Sequence, residues 1–318
     1  MIATPSMMSL AQEYLTLRRQ LGYALRSPGH DLLSFARYAD GIGHRGPITL
    51  DLAVRWAKLP QNASPCWWAR RLQSVRGFAR HRSLFDTATE IPPVGLLGPP
   101  FRRGEPHIYS DAEISKLLRA TAKLGSPSGL RPYTFVTLFG LLVTSGLRIS
   151  EALQLNHDDV NLKSGVLTVV LTKFRKSRLV PLHASTTQVL GEYAERRDRH
   201  HPHPSGRRFF LNDHGEPLGK SAVYRVFGIL RRQLGWTKNR QGRRPRLHDM
   251  RHTMAVRTLL RWYREGADVD RKMLFLSTYL GHVEVTDTYW YLTAVPELMA
   301  LTAGRFQAYS RRIQRGIR

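Results

Sequence analysis

Cys66 is the single cysteine in 318 residues, so no internal disulfide can form and no zinc-finger ligand spacing exists. No apolar run approaches the ~20 residues that a membrane-spanning helix needs. The opening MIATPSMMSLAQEYL lacks the basic-then-apolar order of a secretory leader. Acidic residues are scarce, with 24 Asp and Glu against 49 Lys and Arg, giving a formal charge of +25. They form no cluster suited to two-metal chemistry. The phosphate-cradling patterns GxxxxGK[ST] and GxGxxG are missing as well. Neither a metal nor a nucleotide cofactor is therefore expected, and no membrane partner.

What is present is positive charge, and more of it is arginine than lysine. A solvated surface mixes its signs, so an excess of this size points to a polyanion. Arginine suits bidentate contacts to phosphate. The single cysteine fits a reducing compartment, and a cytoplasmic, nucleoid-associated protein is expected.

Residues 92–108 are the clearest break, since their five prolines and three glycines before His107 forbid a helix. They divide a helical segment, 1–91, from a second domain, 109–295, and a tail, 296–318. In the first segment, Leu10, Tyr14, Leu17 and Leu21 form a helical stripe, and Leu32, Leu33, Phe35 and Ala36 suggest a second helix. Thr49 can cap a third helix, and Ser64 with Pro65 a fourth. On the fourth, Trp68, Leu72, Val75 and Ala79 face inward, which leaves Arg70, Arg71, Arg76, Arg80 and His81 for DNA. After the break, Ser110 to Glu113 has capping-box spacing. A helix from about Tyr133 to Thr144 is broken at Ser145-Gly146. Val166–Leu171 and Arg178–Leu182 read as a β-hairpin across 173–177. The predicted fold is mainly α with a small antiparallel sheet.

Six residues carry chemistry: Arg148 in LRISEAL, Lys173 in LTKFRKSRLVPL, His248 and Arg251 in LHDMRHTMA, His282 and Tyr291 in LGHVEVTDTYWY. Together they supply a nucleophile, proton donors and a cationic clamp. Arg148 begins a helix, where its guanidinium adds to the positive helix end, and Glu151 can orient it. His248 and Arg251 lie one helical turn apart, whereas His252 is assigned to another face. Gly281 lets the backbone turn sharply before His282. A phenol with a pKa of about 10 needs neighbours that help remove its proton. Tyr289 and Lys176 are the nearest competitors of Tyr291 and Lys173.

In this order and spacing the six resemble the tyrosine recombinases, or phage integrase family. The resemblance covers roughly residues 108–295, and the helical segment is more loosely similar to the family's core-binding domain. It implies a site-specific recombinase that cuts DNA through a 3′-phosphotyrosyl link on Tyr291 and passes through a Holliday junction. Lys173 would protonate the leaving 5′ oxygen. Four protomers on two duplexes, or sister recombinases, would be the assembly. The tail would dock on a neighbouring subunit, and the C-terminal style is similar to recombinases of mobile elements. Lys176, Arg243 and Arg244 join the helical arginines as candidate contacts to double-stranded DNA. Two other functions remain open: relaxation as in type IB topoisomerases, and DNA binding without cleavage.

Overall fold

A computed structural model describes residues 5–101, 104–170, 177–203, 205–238 and 242–294, with the side chains of Thr293 and Ala294 left aside. Lys173 and Lys176, and the tail from 296, lie outside the described residues. The chain divides into two compact units, Met1–Gly104 and Glu105–Arg318. The boundary falls inside the proline-rich segment.

The first unit is a helical bundle of α1 (Met7–Gln20), α2 (Arg26–Gly41), α3 (Leu50–Lys58) and α4 (Pro65–Arg82). Ser6, Thr49 and Ser64 cap α1, α3 and α4 by accepting the N–H groups of Ser9, Leu52 and Trp67. The core joins Leu15, Leu32, Phe35, Trp56, Val75 and Phe78. The α1 stripe needs correction. Met7, Ala11 and Leu15 are buried, whereas Leu17 is 42% and Leu21 62% exposed. The Asp40 carboxylate accepts the N–H groups of Met7 and Met8, which fixes the roll of α1. The proline-rich segment folds back on α4: Leu97 reaches the core, and a cavity of about 310 Å³ lies between α4 and residues 93–100.

The second unit contains α5 (Asp111–Thr121), α6 (Arg131–Ser145) and α7 (Ile149–Gln154). A three-stranded sheet follows, made of β1 (Val160–Asn161), β2 (Val166–Val169) and β3 (Arg178–Pro181). Then come α8 (Ala184–His200), α9 (Lys220–Gln233), α10 (His248–Arg264), α11 (Val269–Leu280) and α12 (Thr286–Ala294). The sheet is antiparallel in the order β1-β2-β3, with Val166 opposite Pro181 and Val169 opposite Arg178. The fold is thus mainly helical with a small antiparallel sheet, as expected. Ser110 forms the predicted capping box with Glu113. Helix α6 is apolar on nearly all sides and lies in the main core with Phe135, Leu138, Phe139 and Leu142.

A second apolar cluster joins α10, α11 and α12 through Val256, Leu259, Met273, Leu276, Leu280 and Tyr291. Near the unit's first residues, the Tyr109 N–H donates to Thr253 Oγ1 at 2.9 Å and its hydroxyl donates to the Arg246 carbonyl at 3.0 Å. Asp249, 1% exposed, accepts from the Arg246 N–H and guanidinium. These contacts fix the start of α10, where the candidate site lies.

Candidate active site

Arg148, His248, Arg251, His282 and Tyr291 converge where the α6–α7 turn, the N-terminus of α10, the C-terminus of α11 and α12 meet. Helix α6 ends at Gly146, whose φ of 63° is left-handed. A Cβ there would come within 3.2 Å of Leu280 and 3.4 Å of Met254, so the turn needs glycine twice over. It delivers Arg148 as the N-cap of α7.

Three arginines then close on the end of α11. Arg178 Nε donates to the Tyr279 carbonyl at 2.8 Å. Arg251 donates to the carbonyls of Leu280 and Gly146. Arg148 donates to the Gly281 carbonyl at 3.1 Å. Three successive carbonyls, orphaned where a helix stops, thus each receive a different guanidinium. Glu151 binds two of these cations. Its carboxylate accepts from Arg178 at 2.9 and 3.2 Å, and from the Arg148 side chain at 2.7 Å and backbone N–H at 3.0 Å. Burial would raise the Glu151 pKa, but the Arg178 and Arg148 contacts outweigh it and hold it at about 2.

Gly281 ends α11 at φ 68° and hands the chain to His282. A Cβ at 281 would sit 2.7 Å from Arg178 Nη1. The His282 Nδ1 pairs with Thr288 Oγ1 at 2.7 Å, and its ring lies 6.3 Å from that of Tyr291 at an interplanar angle of 24°. Tyr291 is 2% exposed. Its hydroxyl meets the Arg251 guanidinium and lies 3.3 Å from His252 Nδ1. Desolvation raises the Tyr291 pKa against the pull of Arg251, so the phenol is neutral in this state.

Arg251, 2% exposed, is pushed down to about 10 by desolvation and then by Arg148, and stays charged at neutral pH. Desolvation, followed by Arg251 and Arg246, lowers His248 to about 4, although the residue is exposed. Desolvation, followed by Arg251 and Arg148, lowers His282 to about 4. His252 falls to about 3 through desolvation and then the neighbouring His248, Arg246 and Arg251. All three imidazoles are therefore neutral at pH 7.

A histidine whose folded pKa lies below its unfolded value of about 6.5 makes the unfolded chain the better proton binder below that pH. Stability is full above pH 6.5 and drains as pH falls toward 4. Glu151 takes over lower down, losing its contribution between about 4.5 and 2. Melting temperature should fall steadily from pH 6.5 to 4 and further below; a profile flat between pH 7 and 5 would contradict the histidine environments.

Two sequence expectations need correction. His252 is expected on another face, yet it stands four residues after His248, one turn on, and the rings meet edge-on at 4.8 Å. Arg71 reads from the sequence as a DNA contact. It is 9% exposed, lies 3.9 Å over the Trp56 ring and donates to the Trp56 carbonyl at 3.0 Å. An arginine so enclosed serves the bundle rather than a duplex. Arg70 and Arg80 are exposed, with Arg70 over Trp67, while Arg76 is half-buried at the α4 cavity. Arg243 and Arg244 line a cavity of about 320 Å³ with Trp236 and Lys238 next to α10. Arg71→Ala should therefore cost about 2 kcal/mol of stability in the helical unit and leave the salt dependence of DNA binding unchanged. Arg70→Ala and Arg80→Ala should each lower the salt slope by about 1 with little change in melting. Thermal melts and anisotropy titrations at several salt concentrations separate the two classes.

Residues missed from sequence are Arg178, His252 and Thr288. Arg178 alone carried a signal, a charge at a strand end beside a hairpin.

Tyr291 is thus held among arginines and neutral histidines on a mainly helical fold. Residues 109–297 match the phage integrase family, and the chain belongs to that family of tyrosine site-specific recombinases. It is 46% identical over 296 residues to the provisionally named integrase/recombinase y4rB of Sinorhizobium fredii, covering 91% of this chain and 93% of that one. It is 30% identical over 232 residues to tyrosine recombinase XerC of Chlamydia caviae, covering 70% and 67%. Among solved structures, the Tn1549 transposon integrase in complex with transposon right end DNA aligns with TM-score 0.66 at 16% identity, over 95% of this chain and 100% of that one. A lambda integrase tetramer bound to a Holliday junction aligns with TM-score 0.64 at 16% identity, over 91% and 78%. These two likenesses are of fold. Among the described residues, no helix is long and apolar enough to cross a membrane.

Proposed function

We propose that this chain is a site-specific DNA recombinase or integrase, of the kind carried by mobile elements, and that Tyr291 is its nucleophile. The observation that carries the reading is the Tyr291 hydroxyl against the Arg251 guanidinium, with Arg148 and His282 around the same point. Arg148 and Arg251 grip the nonbridging oxygens of the scissile phosphate, and the neutral imidazoles of His248 and His282 donate hydrogen bonds as charge builds in the transition state. The Tyr291 oxygen bonds to phosphorus, leaving a 3′-phosphotyrosyl link and a 5′ hydroxyl. Lys173 supplies the proton for that hydroxyl. The 5′ hydroxyl then attacks the link in a partner duplex, and two rounds pass through a Holliday junction. Four protomers on two duplexes are the working assembly, in keeping with the tetramer seen for lambda integrase.

The test is a covalent trap on DNA spanning the flanks of the chain's own gene, including nicked substrates. Detergent-resistant protein–DNA adduct should appear, with the modification mapping to Tyr291 by mass spectrometry, and strand exchange between two labelled duplexes should accompany it. Tight binding without adduct on any substrate would favour a non-cleaving protein. Relaxation of supercoiled DNA without exchange would favour topoisomerase-like action.

A further inference from the structure

A phenol that attacks phosphorus must lose its proton, and the arginines around Tyr291 cannot accept it. Arg251 can only donate. His282 has its Nδ1 engaged with Thr288. His248 touches the ring of His252 at 4.8 Å, and it is His252 that reaches the tyrosine oxygen, with Nδ1 3.3 Å away and ring centroids 5.4 Å apart. That distance is slightly long for a formed hydrogen bond and is within the range from which catalytic contacts tighten once substrate arrives. Trp290 also packs on the His252 ring, with centroids 5.5 Å apart.

We propose that His252 is the general base of the cleavage step, and the acid that returns the proton when the strand is rejoined. The inference rests on the proposed function above. In the forward step the Oη–P bond forms, the P–O5′ bond breaks, and the phenolic proton moves to His252 Nδ1. The 5′ oxygen takes its proton from the separate acid, Lys173. Rejoining reverses each transfer, so protons and electron pairs balance without a co-reactant.

The environment suits this role. The groups facing His252 are His248 and Arg251 on its own helix, Arg246 before it, His282 after α11, and Tyr291 on α12. With four cationic or potentially cationic neighbours, the ring arrives unprotonated and ready to accept. A phosphodiester entering between Arg148 and Arg251 brings the negative charge that lets an imidazolium form.

Single-turnover cleavage at saturating DNA tests the assignment, with His252→Ala, His252→Asn and His252→Gln compared to the native chain. Asparagine places an acceptor near the Nδ1 position and keeps a hydrogen bond to Tyr291, so it should fold. Circular dichroism and DNA affinity check each variant. The native rate should be nearly flat from pH 6.5 to 8.5. The variants should cleave roughly 10²-fold slower or more at pH 7, with a rate rising about tenfold per pH unit as hydroxide replaces the base. Added imidazole should partly rescue His252→Ala. Folded variants with near-native rates, or slow ones whose loss is the same at every pH and resists imidazole, would overturn the proposal while native adduct on Tyr291 keeps the recombinase reading. Absence of adduct from the native chain would overturn both.

Discussion

Tyr291→Phe should abolish covalent attachment to DNA while leaving affinity within about twofold of native. The substitution removes one atom, the hydroxyl oxygen. The ring stays within the apolar cluster of α10, α11 and α12, filling the same volume. Arg251 keeps its two carbonyl partners at Gly146 and Leu280, so the clamp survives the loss of the phenol. The cost to folding is one modest hydrogen bond, about 1 kcal/mol. The cost to catalysis is the nucleophile itself, and deletions of that kind lower rates by factors on the order of 10⁶, below the floor of a gel assay for trapped adduct. Anisotropy with labelled DNA supplies the control. Tyr289 lies two residues away and is 39% exposed. Persistent adduct in Tyr291→Phe would move the nucleophile there.

The second large effect is expected at a residue that touches no substrate. Glu151→Ala should cost roughly 3–5 kcal/mol, the penalty for leaving a buried ion without its counter-charge. Arg178 is the ion in question: its side chain is 8% exposed and Glu151 6%, so water cannot replace the lost carboxylate. For a unit of this size the loss amounts to roughly 10 °C in melting temperature. Glu151→Gln should cost less, since the amide oxygen still accepts one hydrogen bond. Both should weaken cleavage more than DNA binding, because Arg148 loses the group that aims it. A melting temperature within about 2 °C of native for Glu151→Ala would show that the carboxylate carries none of this burden.

The sequence made the elements legible where local chemistry decided them. Ser64-Pro65, Thr49 and the Ser110–Glu113 box are signals a few residues long, and the helices start where they say. The strands Val166–Val169 and Arg178–Pro181 pair antiparallel, where the sequence places two apolar, β-branched runs. The candidate site was legible as a spaced set of residue types. What distance along the chain could not show was which partners a folded helix finds. His252 looked misdirected relative to Arg251, because the rotation between adjacent residues says nothing about α12 crossing nearby. Arg71 reads as a DNA contact because Trp68, Leu72, Val75 and Ala79 claim the inward face of the helix; only the placement of Trp56 reveals that this arginine turns inward as well. Arg178 is separated by 101 residues from the carbonyl it binds.

The three arginines on the end of α11 make mutational shorthand unsafe in this protein. Arg148 and Arg251 are the proposed phosphate ligands, and a lysine at either position would ordinarily be scored as a weakened grip on DNA. Here the same side chains hold down the helix that presents His282 and leads into the tyrosine helix. A lysine offers one cationic centre where arginine spans two acceptors at once, so exchange would slacken the latch as well as the grip. Activity alone would merge those losses. Because protein carbonyls already fix the guanidiniums in the absence of a duplex, much of the cost of orienting them for the proposed substrate is met during folding.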